Sequence, residues 1–201
     1  ALRALLAAQL PEWKVLSATL ASPNSLECAM DKLSDGAFVY PFFMADGWFV
    51  RQALPGRLKD RNFEVLPPLG LETALPNLAA QMVADHVIQL GWPIKSTQVC
   101  LAAHGSARSN MAANAALSFA ERRERLLPFG RIETGFIEQA PFVEDMLRHS
   151  ANHTLCVPFL ACDGDHFRID VAGAVGASGY LGEMLPVFGH YSGLPEMIAK
   201  S

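Results

Sequence analysis

Apolar and polar positions follow two alternating periods along the second half of the chain. Gln98–Ala103 is a short apolar run that ends at His104-Gly105-Ser106, and its length predicts a buried strand. An Ala-rich stretch follows from about Asn110 to Leu126. With Ser109 or Asn110 as its cap, it predicts a helix. Ile132–Glu138 reads as the next strand, Phe142–His149 as a helix, Thr154–Ala161 as a third strand and Gly182–Val187 as a short fourth. A helix from about Leu194 closes the chain. Strands that alternate with helices predict a parallel sheet covered on both faces.

The same pattern occurs earlier in the chain in degenerate form. Tyr40-Pro41-Phe42-Phe43-Met44-Ala45-Asp46-Gly47 resembles Val157-Pro158-Phe159-Leu160-Ala161-Cys162-Asp163-Gly164, at an offset of 158 − 41 = 117. Leu66-Pro67-Pro68-Leu69-Gly70, then Leu75-Pro76, resembles Leu185-Pro186-Val187-Phe188-Gly189, then Leu194-Pro195, at 186 − 67 = 119. Pro23 and Pro141 give a third match at 141 − 23 = 118. Three ordered matches at nearly constant offset predict two copies of one α/β unit. The copies form two similar lobes, 1–92 and 97–201, related by a pseudo-two-fold axis, with the junction near Gly91–Lys95. Each lobe is a small parallel sheet flanked by helices. Pro41 and Pro158 sit inside apolar strands, so both are expected at an edge or a local break. The copies are unequal at the front. The counterpart of His104 would lie at 104 − 118 = −14, so copy one is expected to lack its first strand and loop.

Composition narrows the class. The chain has 201 residues, 51% hydrophobic and 18% charged, with a formal net charge of −4; these are the proportions of a folded globular protein. Without a basic tail or stripe, no nucleic-acid partner is expected. No apolar run approaches the roughly 20 residues of a membrane span, so no membrane association is expected. Ala1–Leu10 reads as the end of a helix, not as a signal peptide. Cys28, Cys100, Cys156 and Cys162 form no Cys-x-x-Cys pair, and three fall in apolar runs. They are expected as small core residues of a cytoplasmic protein.

Candidate chemistry gathers at strand ends. In parallel α/β sheets, ligands bind beyond the carboxyl ends of strands. His104-Gly105-Ser106 follows one such strand, and Asp163-Gly164-Asp165-His166 follows another. Gly105 permits an unusual backbone angle or a close approach. Ser106 and the amides after it are candidate donors to a carboxylate. Neutral imidazole binds divalent transition metals and accepts a proton near neutral pH. Asp163-Gly164 repeats as Asp46-Gly47, which points to a structural role, whereas His166 has Phe49 opposite it in copy one. His190 follows a strand end and is a lesser candidate; His86, His149 and His153 are expected in packing or solvent. No dinucleotide fingerprint, Walker-type loop, His-Glu-x-x-His helix or Gly-x-Ser-x-Gly elbow is present.

A strand leading into His104-Gly105-Ser106, with Val157-Pro158-Phe159-Leu160 and a downstream Gly164-Asp165-His166, resembles the class II tetrapyrrole chelatases, in particular the CbiX-type sirohydrochlorin chelatases. The resemblance covers copy two and copy one from its first helix onward. It implies a bilobal α/β fold and ATP-independent insertion of Co²⁺ or Fe²⁺ into sirohydrochlorin, in cobalamin or sirohaem biosynthesis. It implies no cofactor beyond the substrate metal ion. His104 and His166 would be the catalytic residues and metal ligands, and the C-terminal lobe the active one. Gly105, Ser106, Arg108, Gly164 and Asp165 would bind substrate. Arg51, Arg108 and Arg168 are the candidate partners for its carboxylates, and Asp46 the candidate acidic ligand from the other half. Phe43, Trp48 and Phe159 are candidates to press on a flat ring. The resemblance leaves open Co²⁺ against Fe²⁺ and the oligomeric state. Two alternatives stand beside it: a non-catalytic metal or tetrapyrrole carrier using the same histidines, and a two-lobed solute binder.

Overall fold

A computed structural model describes residues 2–59, 61–107, 109–124 and 129–201, the side chains of 123 and 124 excepted. Its elements are α1 (Leu2–Gln9), α2 (Ser25–Met30), β1 (Phe38–Val39), α3 (Leu54–Leu58), β2 (Glu64–Val65), α4 (Leu75–Gln89), β3 (Gln98–Ala103), α5 (Met111–Glu124), β4 (Arg131–Phe136), α6 (Val143–Arg148), β5 (Thr154–Phe159), α7 (Ala172–Ser178), β6 (Glu183–Met184) and α8 (Leu194–Ala199).

The main sheet is parallel, with order β4-β3-β5-β6. All six residues of β3 and all six of β5 are buried, which is why both read as unbroken apolar runs and not as alternating ones. Side chains still alternate between faces. Val99, Leu101, Ala103, Leu155, Val157 and Phe159 pack with Ala113, Ala116 and Phe119 of α5. Cys100, Ala102 and Cys156 pack with Val143 and Leu147 of α6 on the opposite face. The chain leaves β3 toward β4 and returns past it to β5, so the strand order reverses between β3 and β5. That reversal places the crevice of an α/β sheet beyond the carboxyl ends of those two strands. They end level, with Ala103 opposite Phe159.

The N-terminal half carries a second parallel pair. Phe38 pairs with Glu64 and Val39 with Val65; Leu155 pairs with Glu183 and Cys156 with Met184. The registers coincide at the offsets of the repeat, 155 − 38 = 117 and 183 − 64 = 119. The α/β fold expected from the alternation is thus present in both halves. Leu75, Ala79, Val83 and Val87 of α4 join the cluster that contains β3, β5 and α5, so one core takes residues from both halves.

Several boundaries differ from the sequence reading, each for a local reason. β6 is two residues long, Glu183–Met184, with Leu185 still donating its N–H to the Cys156 carbonyl at 2.9 Å; Pro186 follows, and because it faces away from β5 its missing N–H costs that ladder nothing. Pro158 lies inside β5, where it pairs with Ala102. Cys156 directs its N–H to the Tyr180 hydroxyl and its C=O to the Leu185 N–H. Proline two residues on points the same way, past the end of β6, so its missing N–H falls at a local break. The final two residues expected in α5 lie outside the described residues. Helix α7 was not anticipated: Ala172-Gly173-Ala174-Val175-Gly176-Ala177-Ser178 holds two glycines that lower helix propensity. Its packing on α6 decides the outcome, and Gly179, at φ 70°, ends it in the left-handed conformation. The four cysteines divide: Cys100 and Cys156 are buried in strands, whereas Cys28 and Cys162 are exposed, so the core reading holds for two of them. Among the described residues, no helix is long and apolar enough to cross a membrane.

Candidate active site

His104 is the first residue beyond β3, and the loop after β5 delivers His166 to the same point. The two Nε2 atoms are 3.0 Å apart, with ring centroids at 4.0 Å and planes at 87°. His104 is 29% exposed by its side chain and His166 57%, so the pair opens to solvent.

Each backbone loop is built to hold its ring. Gly105 takes φ 70°, a conformation that costs a residue with a Cβ about 1–2 kcal/mol. A Cβ there would also lie 2.9 Å from Gln139 Cγ and 3.0 Å from Phe136 Cβ. The His104 carbonyl accepts the Glu138 amide at 3.0 Å and the Ile137 amide at 3.2 Å. The Ser106 amide donates to Gln139 Oε1 at 2.9 Å. The loop after β3 is therefore bound to the loop after β4. On the other side, the Gly164 carbonyl accepts the amides of Phe167 and Arg168, both at 3.0 Å. These bonds start a π-helical turn, His166–Val171, that runs into α7. Asp163 accepts from Arg168 at 3.0 Å. That hydrogen bond with the guanidinium, followed by its charge, holds the Asp163 carboxyl below its ordinary range.

The outer nitrogens settle which way the inner ones face. His104 Nδ1 meets the Gly105 carbonyl at 2.9 Å; a carbonyl only accepts, so Nδ1 carries the hydrogen. His166 Nδ1 meets Asp170 Oδ2 at 2.8 Å, and an ionised carboxylate also only accepts. Both neutral rings then turn Nε2 lone pairs toward each other across 3.0 Å. Two lone pairs at that separation repel unless a proton or a metal cation lies between them. With metal–imidazole bonds of about 2.0–2.1 Å, this N···N separation subtends about 90–100° at the ion, which suits adjacent positions of an open coordination sphere. Glu138 Oε2 is 3.9 Å from His104 Nδ1.

The other anticipated residues have definite places. Gly164 and Asp165 lie at the start of the His166 turn, Asp165 exposed. Arg108 lies outside the described residues. Arg51 and Arg168 are each paired with an aspartate of their own turn, Asp46 at 2.9 Å and Asp163 at 3.0 Å, while a guanidinium retains further N–H donors. Asp46 bonds Arg51 through Oδ2; among the described residues, the acids paired with the two histidines are Glu138 and Asp170, both from the C-terminal half. Phe159 does not line a cleft: it is 3% exposed and packs against Phe119 and Phe188. Phe43 stacks on Phe49 at 5.7 Å, and Trp48 is 60% exposed. His190 approaches Asp163 at 3.9 Å. His149 bonds the Asp145 carbonyl at 2.8 Å, and His153 packs on Trp92 at 5.1 Å.

Glu138, Gln139 and Asp170 escaped the sequence reading. Asp170 carried a signal, since it stands four residues after His166, but that spacing brings side chains together only on a helix, and none was expected there. Glu138 and Gln139 become visible only once β4 is placed beside β3.

The CbiX family model matches residues 98–198. A solved structure described as "CbiX, the terminal Enzyme for Biosynthesis of Siroheme in Denitrifying Bacteria" is 36% identical, with TM-score 0.89, over 99% of this chain and 87% of that one. The chain belongs to the CbiX family. A structure of SirB from Bacillus subtilis with Fe³⁺ shares the fold at TM-score 0.69 and 12% identity, over 98% of this chain and 85% of that one. No curated protein matches the chain.

Proposed function

We propose that this protein inserts a divalent metal, Co²⁺ or Fe²⁺, into sirohydrochlorin, with His104 and His166 receiving the ion and the displaced protons. It is an enzyme, a sirohydrochlorin chelatase of the CbiX type, acting in sirohaem or cobalamin biosynthesis. The observation that carries the site assignment is the 3.0 Å separation of two Nε2 atoms whose Nδ1 partners are both acceptors.

The overall change is loss of two pyrrole protons as the metal dication enters, so charge is conserved. Before transfer, the facing lone pairs hold the cation. As each metal–imidazole bond gives way to a metal–pyrrole bond, the freed nitrogen takes up a pyrrole proton. One group thus serves in turn as ligand and as base, and proton transfer by a positioned imidazole is worth about 10²–10⁴-fold in rate. Glu138, with Oε2 3.9 Å from His104 Nδ1, adds negative charge beside the position that receives the dication.

Sirohydrochlorin carries many carboxylates. Arg51, Arg108 and Arg168 are the proposed partners for them, with Gly105, Ser106, Gly164 and Asp165 forming the rim. The lobes are assigned as 1–92, a partner wall carrying Phe43, Trp48 and Phe49, and 97–201, the catalytic half. Free cysteines fit the reducing conditions of the cytoplasm. No resident cofactor is required, since the metal is itself a substrate.

The test follows the absorbance of sirohydrochlorin mixed with Co²⁺ or Fe²⁺. A protein-dependent acceleration of the shift to the metallated spectrum supports the reading. Metal binding without acceleration would make the protein a carrier.

A further inference from the structure

We infer that Asp170 is a positioning residue that fixes the tautomer of His166 and keeps the metal-receiving position open. The inference rests on the proposed roles of His104 and His166.

The argument begins with what His166 would do without Asp170. A neutral imidazole carries its proton on either nitrogen. His104 has no such freedom, because its Nδ1–H is committed to the Gly105 carbonyl and its Nε2 is an acceptor. Left alone, His166 would place its proton on Nε2 and donate to His104 Nε2 across 3.0 Å. That hydrogen bond satisfies both rings and closes the site, since both lone pairs that would hold an ion are consumed. Asp170 Oδ2, at 2.8 Å from Nδ1, supplies a charged acceptor on the far side and draws the proton there. It therefore converts a self-satisfied histidine pair into a two-nitrogen cation site.

The backbone makes this arrangement specific. His166 opens the π-helical turn and Asp170 lies within it. The Gly164 carbonyl anchors the start of the turn through Phe167 and Arg168, and buried Val171 anchors its end. The copy-one turn Phe49–Ala53 has the same Gly47 anchor, with Val50 and Arg51 amides at 3.1 and 2.9 Å. There, Phe49 stands at the place of His166 and Ala53 at the place of Asp170, since 166 − 49 and 170 − 53 both equal 117. Histidine and aspartate are present together in one copy and absent together from the other.

The experiment compares wild type with Asp170→Asn, Asp170→Ala and His166→Ala. Asparagine preserves shape while its amide can donate to Nδ1, so the fold is retained and the tautomer is released; a buried Asp-to-Asn change that selects the wrong histidine tautomer has precedent in the serine-protease triad. Tautomers are read by long-range ¹H–¹⁵N correlation at alkaline pH, where the rings are neutral. Affinity for Co²⁺ alone is read from its visible absorbance. The expected result is an Nδ1–H form of His166 in wild type and an Nε2–H form in both Asp170 variants. Their Co²⁺ affinity should fall about 10–100-fold, the usual effect of losing a carboxylate behind a ligating histidine. Persistence of the Nδ1–H form, or of wild-type Co²⁺ affinity, in both variants overturns the inference. His166→Ala separates this from the parent reading. If that variant binds Co²⁺ and inserts metal as wild type does, the role of His166 itself falls; if it is impaired while both Asp170 variants are silent, only the inference about Asp170 falls.

Discussion

Phe49 and His166 open the same π-helical turn in two copies of one unit, 117 residues apart. The surrounding frame is conserved to the level of single bonds. Gly47 and Gly164 accept the same two amides, and Asp46–Arg51 and Asp163–Arg168 form the same ion pair. The turn therefore does not require histidine, and its stability and its chemistry are separable. His166→Phe is expected to keep stability within about 1 kcal/mol, as for exposed positions generally, while metal insertion falls about 10²-fold or more. Thermal unfolding and a sirohydrochlorin assay on one preparation check both halves of this statement.

Gly105 is a position where side chain and backbone object together. Gly105→Ala forces a Cβ into φ 70° and toward Gln139 and Phe136. The backbone part alone is about 1–2 kcal/mol, which for a chain of this size lowers the melting temperature by about 2–8 °C. Turnover should fall as well, because the same loop carries His104. A melt and an activity assay on Gly105→Ala test this; wild-type values for both would show that the loop relaxes without consequence.

The thiols should fall into two classes. Burial, followed by the Glu133 charge, pushes the Cys100 thiol up to about 12, and burial raises Cys156 further. The thiolate is the reactive form. Raised values keep both groups protonated below that range, so neutral pH leaves almost no thiolate. A disulfide reagent added to native protein is expected to label Cys28 and Cys162 fast, and Cys100 and Cys156 only as the sheet opens. Four equally fast thiols would contradict the buried placement.

The legible parts of this chain were those with a local cause. β3 and β5 were readable because burial on both faces makes a strand apolar throughout, and His104 and His166 because each follows such a run. The offset of 117 to 119 was readable because prolines and glycines mark the strand ends in both copies. The illegible parts depend on packing. Helix α7 holds Gly173 and Gly176 and packs on α6, and without it the turn His166–Val171 that leads into it, with Asp170 inside, could not be foreseen. Gln139 and Glu138 acquire their roles only from the β3–β4 register. The pairing of Asp46 with Arg51, five residues on, was likewise not legible, since it depends on the fold of the turn that follows Gly47.

The central claim is that His104 and His166 form one working pair. The decisive measurement is the rate of metal insertion into sirohydrochlorin, at fixed pH and metal concentration, for His104→Ala, His166→Ala, His149→Ala and His153→Ala. His149 and His153 lie away from the pair, against Asp145 and Trp92. The account predicts a loss of about 10²–10⁴-fold for His104→Ala, a clear loss for His166→Ala, and near-wild-type rates for the other two. Near-normal turnover by a folded His104→Ala protein would contradict it.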